Sequence, residues 1–281
     1  MCDEITEREN EDYLKRTGEL TRREFGRLSA GAGLAVMLPR VANAAEVMES
    51  EIDITTPDGT ADCYFVHPSE GKHPAVLVWP DIFGLRTAFR SMGKRLAESG
   101  HSVLVVNPFY RDARAPTMKE GEPFQDTLNR ARPMTAAFTN DAIMSDARVF
   151  VNFLDQQPSV DTSRKMATTG YCMGGPLVMR SVAAVPDRFG AGATFHGGGL
   201  ATDKEDSPHL LIPKSKARML HAIAENDDAR SPDVKNILRK AYDDAGIPAE
   251  IEVYKGTNHG WCAIDSRVYN EEQAERAWTC D

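Results

Sequence analysis

The segment Gly170-Tyr171-Cys172-Met173-Gly174-Gly175 is the most informative stretch of the chain. It follows a short strand candidate, Lys165 to Thr169, and opens a helix candidate, Leu177 to Ala184. In that context a G-x-C-x-G-G turn is a nucleophile elbow, with cysteine where serine is more usual. The turn from strand to helix is sharp, so the neighbours of the nucleophile must be small. The nucleophile then stands at a helix N-terminus, where free backbone N–H groups and the helix dipole favour a thiolate or an oxyanion. The competing reading, a buried structural cysteine in a glycine-rich turn, does not account for the strand-to-helix spacing.

A thiol nucleophile needs a base, and the base needs an orienting partner. Elbows of this kind place them in the order nucleophile, acid, histidine. Of the seven histidines, His196, His209 and His221 follow the elbow but precede the acidic loop; only His259 follows it. It sits in Gly256-Thr257-Asn258-His259-Gly260-Trp261, directly after a strand candidate ending at Tyr254. The acidic loop, Ala224-Glu225-Asn226-Asp227-Asp228-Ala229-Arg230, follows the strand candidate Arg218 to Ile223. Glu225, Asp227 and Asp228 all qualify; Asp227 is preferred, with one or two of the others expected to cap the next helix. The expected catalytic set is therefore Cys172, Asp227 and His259.

Outward from the elbow, strand and helix patterns alternate. Residues 51–56 and 61–66, joined by Pro57-Asp58-Gly59-Thr60, read as an antiparallel hairpin. Ala75 to Trp79 and Ser102 to Val106 are continuous apolar runs, as in strands covered on both faces. Ala191 to Phe195 and Ile251 to Tyr254 are further strand candidates. Helical spacing covers residues 88–98, 141–155, 233–244 and 270–278. Residues 111–135 look polar and irregular, a long loop of the kind that is often functional. The pattern predicts an α/β fold in a single domain, with a mostly parallel central sheet and helices on both faces. Loops at the carboxyl ends of the strands are then the place for chemistry. His196-Gly197-Gly198-Gly199 follows a strand candidate but comes after the nucleophile, and is expected to be a tight turn at the sheet's edge.

The 281 residues are 27% charged and 41% hydrophobic, with a net charge of −9. That composition is ordinary for a globular protein, and an acidic surface argues against nucleic acid as a partner. The first 44 residues read as a separate segment. Arg22-Arg23, an apolar run from Leu28 to Leu38 and Ala42-Asn43-Ala44 form a basic region, a short apolar core and an A-x-A site in the order of an export signal. The paired arginines resemble the twin-arginine type. The expectation is cleavage after Ala44, a periplasmic or otherwise exported mature chain of residues 45–281, and no stable membrane association after removal. The removed part holds seven Lys/Arg and eight Asp/Glu, leaving a mature charge of −8. Cys63, Cys172, Cys262 and Cys280 survive cleavage, and their pairing stays open.

Together these residues resemble the dienelactone hydrolase family. The likeness covers nearly all of residues 45–281. It is carried by the elbow, by Asp81-Ile82-Phe83-Gly84, by Asn258-His259-Gly260-Trp261 and by the closing Tyr269-Asn270 to Ala277-Trp278. A cysteine elbow is specific to this family among α/β-hydrolases. The resemblance implies a single α/β-hydrolase domain and an oxyanion hole formed by the backbone N–H groups of Ile82 and Met173. It also implies a small-molecule ester or lactone substrate, cleaved through a thioacyl-enzyme intermediate without metal or organic cofactor. Three positions depart from the dienelactone-cleaving members. Asp81 stands where they carry the glutamate that pairs with the resting thiol. Ala263 stands where they carry an arginine for the substrate carboxylate, with Arg267, Arg111 and Arg114 as candidate substitutes. Asn107-Pro108 replaces an Asp-Pro pair. Phe83, Phe109, Tyr110 and Trp261 are candidates for an apolar acyl pocket, whereas Trp79 is expected in the core. An exported thiol-based redox or stress protein on the same scaffold is the alternative from another class.

Overall fold

The computed structural model describes residues 4–17, 38–39, 41–118 and 122–279. The paired arginines and nearly all of the apolar run of the expected export signal lie outside the described residues, as does Cys280. The elements, in chain order, are α1 (Glu4–Thr17), β1 (Val47–Thr56), β2 (Gly59–Pro68), β3 (Ala75–Trp79), α2 (Thr87–Glu98), β4 (Ser102–Val106), α3 (Phe124–Met134) and α4 (Asn140–Asp155). They continue with β5 (Met166–Tyr171), α5 (Gly174–Ala184), β6 (Phe189–Phe195), β7 (Arg218–Ala224), α6 (Glu225–Arg230), α7 (Val234–Ala245), β8 (Ala249–Tyr254) and α8 (Glu271–Trp278).

The eight strands form one sheet in the order β1-β2-β4-β3-β5-β6-β7-β8. The β1–β2 hairpin is antiparallel and attaches antiparallel to β4; every other neighbouring pair is parallel. The central strands β3 and β4 are buried along their whole length, which is why their sequences are unbroken apolar runs. One core layer joins Leu77, Leu104, Phe150, Leu154, Leu177 and Met219 on one side of the sheet. A second joins Val76, Val78, Phe89, Val103, Phe195 and Trp261 on the other. Trp79 belongs to the first, its ring edge-on to Phe150 and its Nε1–H donated to Ser181 Oγ at 3.0 Å. This is the α/β-hydrolase arrangement, with the carboxyl ends of β3, β5, β6, β7 and β8 opening on one rim.

Residues 111–135 differ from the expected irregular loop. Residues 124–134 are the helix α3, and Thr127, Leu128 and Ala131 are buried on its inner side. Phe124, Leu128 and Ala131 do recur at helical spacing, but charged neighbours and Pro133 mask the pattern in sequence.

Candidate active site

The elbow is built by close packing of backbone. Cys172 adopts φ +52°, the left-handed region that is strained for a residue with a side chain. Its N–H donates to Phe195 O at 2.9 Å, and its own carbonyl accepts from Gly175 N at 3.2 Å and Gly198 N at 3.3 Å. The flanking glycines are steric necessities. A Cβ at Gly170 would lie 2.3 Å from Gly174 O, and one at Gly174 would lie 2.3 Å from Trp79 O.

The three expected side chains converge. His259 Nε2 lies 3.0 Å from Cys172 Sγ, and His259 Nδ1 lies 2.7 Å from Asp227 Oδ2. Sequence separations of 87 and 32 residues are closed because β5, β7 and β8 run parallel and end on the same rim. The histidine loop is pinned to the acid segment. His259 N–H donates to Asn226 Oδ1 at 2.9 Å, Gly256 N–H to Glu225 Oε2 at 3.0 Å, and Glu225 N–H to Thr257 Oγ1 at 3.3 Å. The three carboxylates of the acidic segment are thereby told apart. Glu225 braces the loop, Asp228 pairs with Lys235 at 2.6 Å, and Asp227 reaches the imidazole. None caps the following helix as expected: the segment is itself the short helix α6, and α7 starts without a side-chain cap.

Cys172 and His259 are 1% and 2% exposed. Burial alone disfavours a charged imidazole, but the Asp227 and Cys172 charges and their hydrogen bonds outweigh it and push His259 up to about 10. Burial likewise works against the Asp227 carboxylate, yet the adjacent His259 holds it below its ordinary value. The adjacent Asp227 carboxylate thus favours the charged form of the imidazole.

The expected oxyanion positions lie against the thiol. Ile82 and Met173 share a buried cluster with Cys172, Phe109, Leu128 and Ala131. Among the described residues, neither backbone N–H of Ile82 and Met173 has a hydrogen-bond acceptor, so both are available to a substrate oxygen. Phe83, Phe124, Met134 and Phe138 pack around the cluster, giving an apolar wall supplied largely by α3. Of the expected pocket aromatics, Phe83 and Phe109 are here. Tyr110 is elsewhere, donating its hydroxyl to Asp146 Oδ1 at 2.7 Å, and Trp261 stacks on Tyr254.

Asp81 is engaged by a partner that sequence did not single out. Arg86 forks onto it at 2.7 and 3.0 Å and onto Asp265 at 2.6 and 2.8 Å. Asp81 Oδ1 also accepts from Phe83 N–H at 2.9 Å. The thiol pairing that the family's longer glutamate makes is absent here, and Asp81 is held in an ion pair instead. The buried Asp81–Arg86–Asp265 bridge ties the Ile82 loop to the loop after His259. The candidate arginines are also engaged: Arg111 with Asp58 and Asp146, Arg114 with Asp53, and Arg267 with Glu7.

His196 lies deeper in the fold than the turn at the sheet's edge expected from sequence. It follows β6, which is an interior strand between β5 and β7 and not a sheet edge. It has φ +40°, is 1% exposed, and its ring meets that of His259 edge-on at 5.0 Å. Neither ring nitrogen has a partner among the described residues. Burial, reinforced by the neighbouring His259 charge, pushes it down to about 3, so it is neutral. Its position at the carboxyl end of a central strand was the available signal.

Among the described residues, no group of three or more His, Cys, Asp or Glu side chains is arranged to hold a metal ion. Cys63 and Cys262 are buried.

A mostly parallel sheet with a strained cysteine elbow, facing a histidine and an aspartate from the last two strand ends, defines an α/β-hydrolase of the cysteine-elbow kind. The profile of the dienelactone hydrolase family matches residues 61–280, and the chain belongs to that family. Carboxymethylenebutenolidase 2 of Cupriavidus pinatubonensis is 26% identical over 230 residues, covering 81% of this chain and 85% of the relative. A protein of Methylorubrum extorquens with a provisional carboxymethylenebutenolidase name is 24% identical over 270 residues, covering 92% and 90%. Among solved structures, a Klebsiella pneumoniae protein with a provisional dienelactone hydrolase name superposes with a TM-score of 0.73 at 22% identity, covering 84% of this chain and 96% of that one. The dienelactone hydrolase-like promiscuous phosphotriesterase P91 superposes with a TM-score of 0.66 at 19% identity, covering 83% and 95%.

Proposed function

We propose that the chain hydrolyses a small ester or lactone through a Cys172–His259–Asp227 triad. The observation that carries this reading is the unbroken line of contacts from Sγ to Nε2 at 3.0 Å and from Nδ1 to Oδ2 at 2.7 Å, buried at a strained elbow.

The Cys172 thiolate attacks the acyl carbonyl carbon, forming the C–S bond. The carbonyl oxygen takes up the negative charge and is held by the Ile82 and Met173 N–H groups. Collapse breaks the C–O bond, and the leaving oxygen takes its proton from the His259 imidazolium. In a lactone the leaving alcohol stays tethered to the acyl group. Neutral His259 then takes a proton from water, the hydroxide attacks the thioester carbon, and cleavage of the C–S bond releases the acid and returns the thiolate. Asp227 holds the imidazole with Nε2 toward sulfur and stabilises its charged form. The Phe83–Phe109–Phe124 wall favours an apolar acyl or ring portion.

Residues 1–44 are proposed to be removed on twin-arginine-type export. The attachment of the first residue after the expected cleavage site supports this: Ala45 N–H bonds to Glu98 O at 3.0 Å. The test of function is hydrolysis of short aryl esters, simple lactones and a carboxylated dienelactone by the wild type and Cys172→Ala. Turnover should vanish in the variant while its circular dichroism and unfolding midpoint are retained. Residual turnover in Cys172→Ala above one-hundredth of wild type overturns the assignment.

A further inference from the structure

The amino-terminal helix α1 lies outside the residues matched to the family, yet it is docked on the candidate site. Hydrogen bonds and ion pairs from it reach residues 226–230 and 256–267, the segments around Asp227 and His259. Asn10 Nδ2 donates to His259 O at 3.3 Å, and Tyr13 hydroxyl donates to Gly256 O at 3.1 Å. Asn258 Nδ2 donates to Glu9 O at 3.2 Å and to Asn10 Oδ1 at 3.0 Å. Asn226, the neighbour of Asp227, donates to Glu9 Oε2 at 2.6 Å. Two ion pairs complete the contact, Glu9 with Arg230 and Glu7 with Arg267, and Thr6 is buried beside Arg230.

Two features distinguish this helix from a structural layer. No α1 residue belongs to a hydrophobic core cluster, so its attachment is polar and separable. By contrast α3, the other helix over the site, is anchored by the buried Leu128 and Ala131. Second, the docked helix touches the immediate surroundings of both triad partners, bonding to the His259 carbonyl and to Asn226 beside Asp227, while Cys172 and His259 are 1% and 2% exposed.

We propose that the rim around Asn226, Arg230, Asn258 and Arg267 is a docking site for an acidic helical segment, and that its ligand is residues 4–17 of the same chain, which cover the triad until they are removed or displaced. The segment precedes Arg22-Arg23 and the Ala42-Asn43-Ala44 site, so the cleavage proposed above would remove it together with the signal. The uncleaved chain would then be slow and the cleaved chain fast. The consequence for turnover rests on the hydrolase reading; the covering itself does not.

The experiment uses the full chain and its Glu7→Gln/Glu9→Gln variant, which keeps side-chain size and touches no triad residue. The rate of alkylation of Cys172 by iodoacetamide is read by mass spectrometry of the peptide that contains it. The variant should be alkylated about tenfold faster, the equivalent of ~1.4 kcal/mol of lost docking. Raising sodium chloride from about 0.05 M to about 1 M should accelerate the wild type toward the variant, because these partly exposed pairs are screened. Equal rates for the two proteins at low salt overturn the cover. Aryl-ester kcat/KM measured on the same samples separates the two readings. Faster alkylation with no ester turnover keeps the cover and refutes the hydrolase; turnover with equal alkylation and equal kcat/KM refutes the cover and keeps the hydrolase.

Discussion

Replacing Asp227 by asparagine tests the assignment of the acid, because the substitution is isosteric and removes only charge and acceptor symmetry. The bond it breaks spans 2.7 Å between His259 Nδ1 and Asp227 Oδ2, with side chains 1% and 18% exposed. A charge-assisted hydrogen bond at such a site contributes ~1.5–3 kcal/mol. Loss of the fixed tautomer adds to that, since an amide can present its N–H₂ toward Nδ1 and turn the ring's proton toward sulfur. A total of ~3–4 kcal/mol corresponds to a fall of about 10²–10³ in kcat/KM. The assay is initial-rate hydrolysis of an aryl ester by wild type, Asp227→Asn, Asp228→Asn and Glu225→Gln. The last two should stay within about tenfold of wild type, because Asp228 pairs with Lys235 and the glutamine retains an acceptor for Gly256 N–H. An Asp227→Asn enzyme within tenfold of wild type, or an Asp228→Asn enzyme worse than it, would refute the reasoning.

The buried bridge at Arg86 should matter to stability and site together. Arg86→Met leaves Asp81 and Asp265 uncompensated, and stranding a buried charge costs ~3–5 kcal/mol. Urea unfolding should show that loss, with Arg86→Lys recovering only part because an ammonium cannot fork onto both carboxylates. The triad also predicts a pH signature. His259 rises from 6.5 to about 10 on folding, so its contribution is fully present below about pH 6.5 and is lost as pH rises through about 10. Asp227 is lowered from 3.8, so its contribution is present above that value and is lost as pH falls through its folded value. Unfolding midpoints taken from pH 6 to 11 should therefore fall more steeply near pH 10 for wild type than for Asp227→Asn. Parallel curves would show that the carboxylate does not hold the imidazole charged.

Much of the architecture is written in local pattern. Ala75–Trp79 and Ser102–Val106 are strands with the residues read from sequence, because a strand buried on both faces must be apolar without interruption. The elbow is legible because Gly170 and Gly174 are imposed by backbone contacts at 2.3 Å that no side chain survives. The order of nucleophile, acid and histidine is legible because parallel strands deliver successive loops to one rim. Other features depend on which side chains meet across the chain, which no local pattern encodes. Three adjacent acids look alike in sequence, and only the packing of α6 against the His259 loop separates Asp227 from Glu225 and Asp228. Asp81 is held by Arg86, which also binds Asp265, 184 residues downstream of Asp81. His196 entered the site because β6 lies inside the sheet, a fact of strand order. The docking of α1 on the histidine loop joins residues about 250 apart through polar contacts, which no local pattern announces.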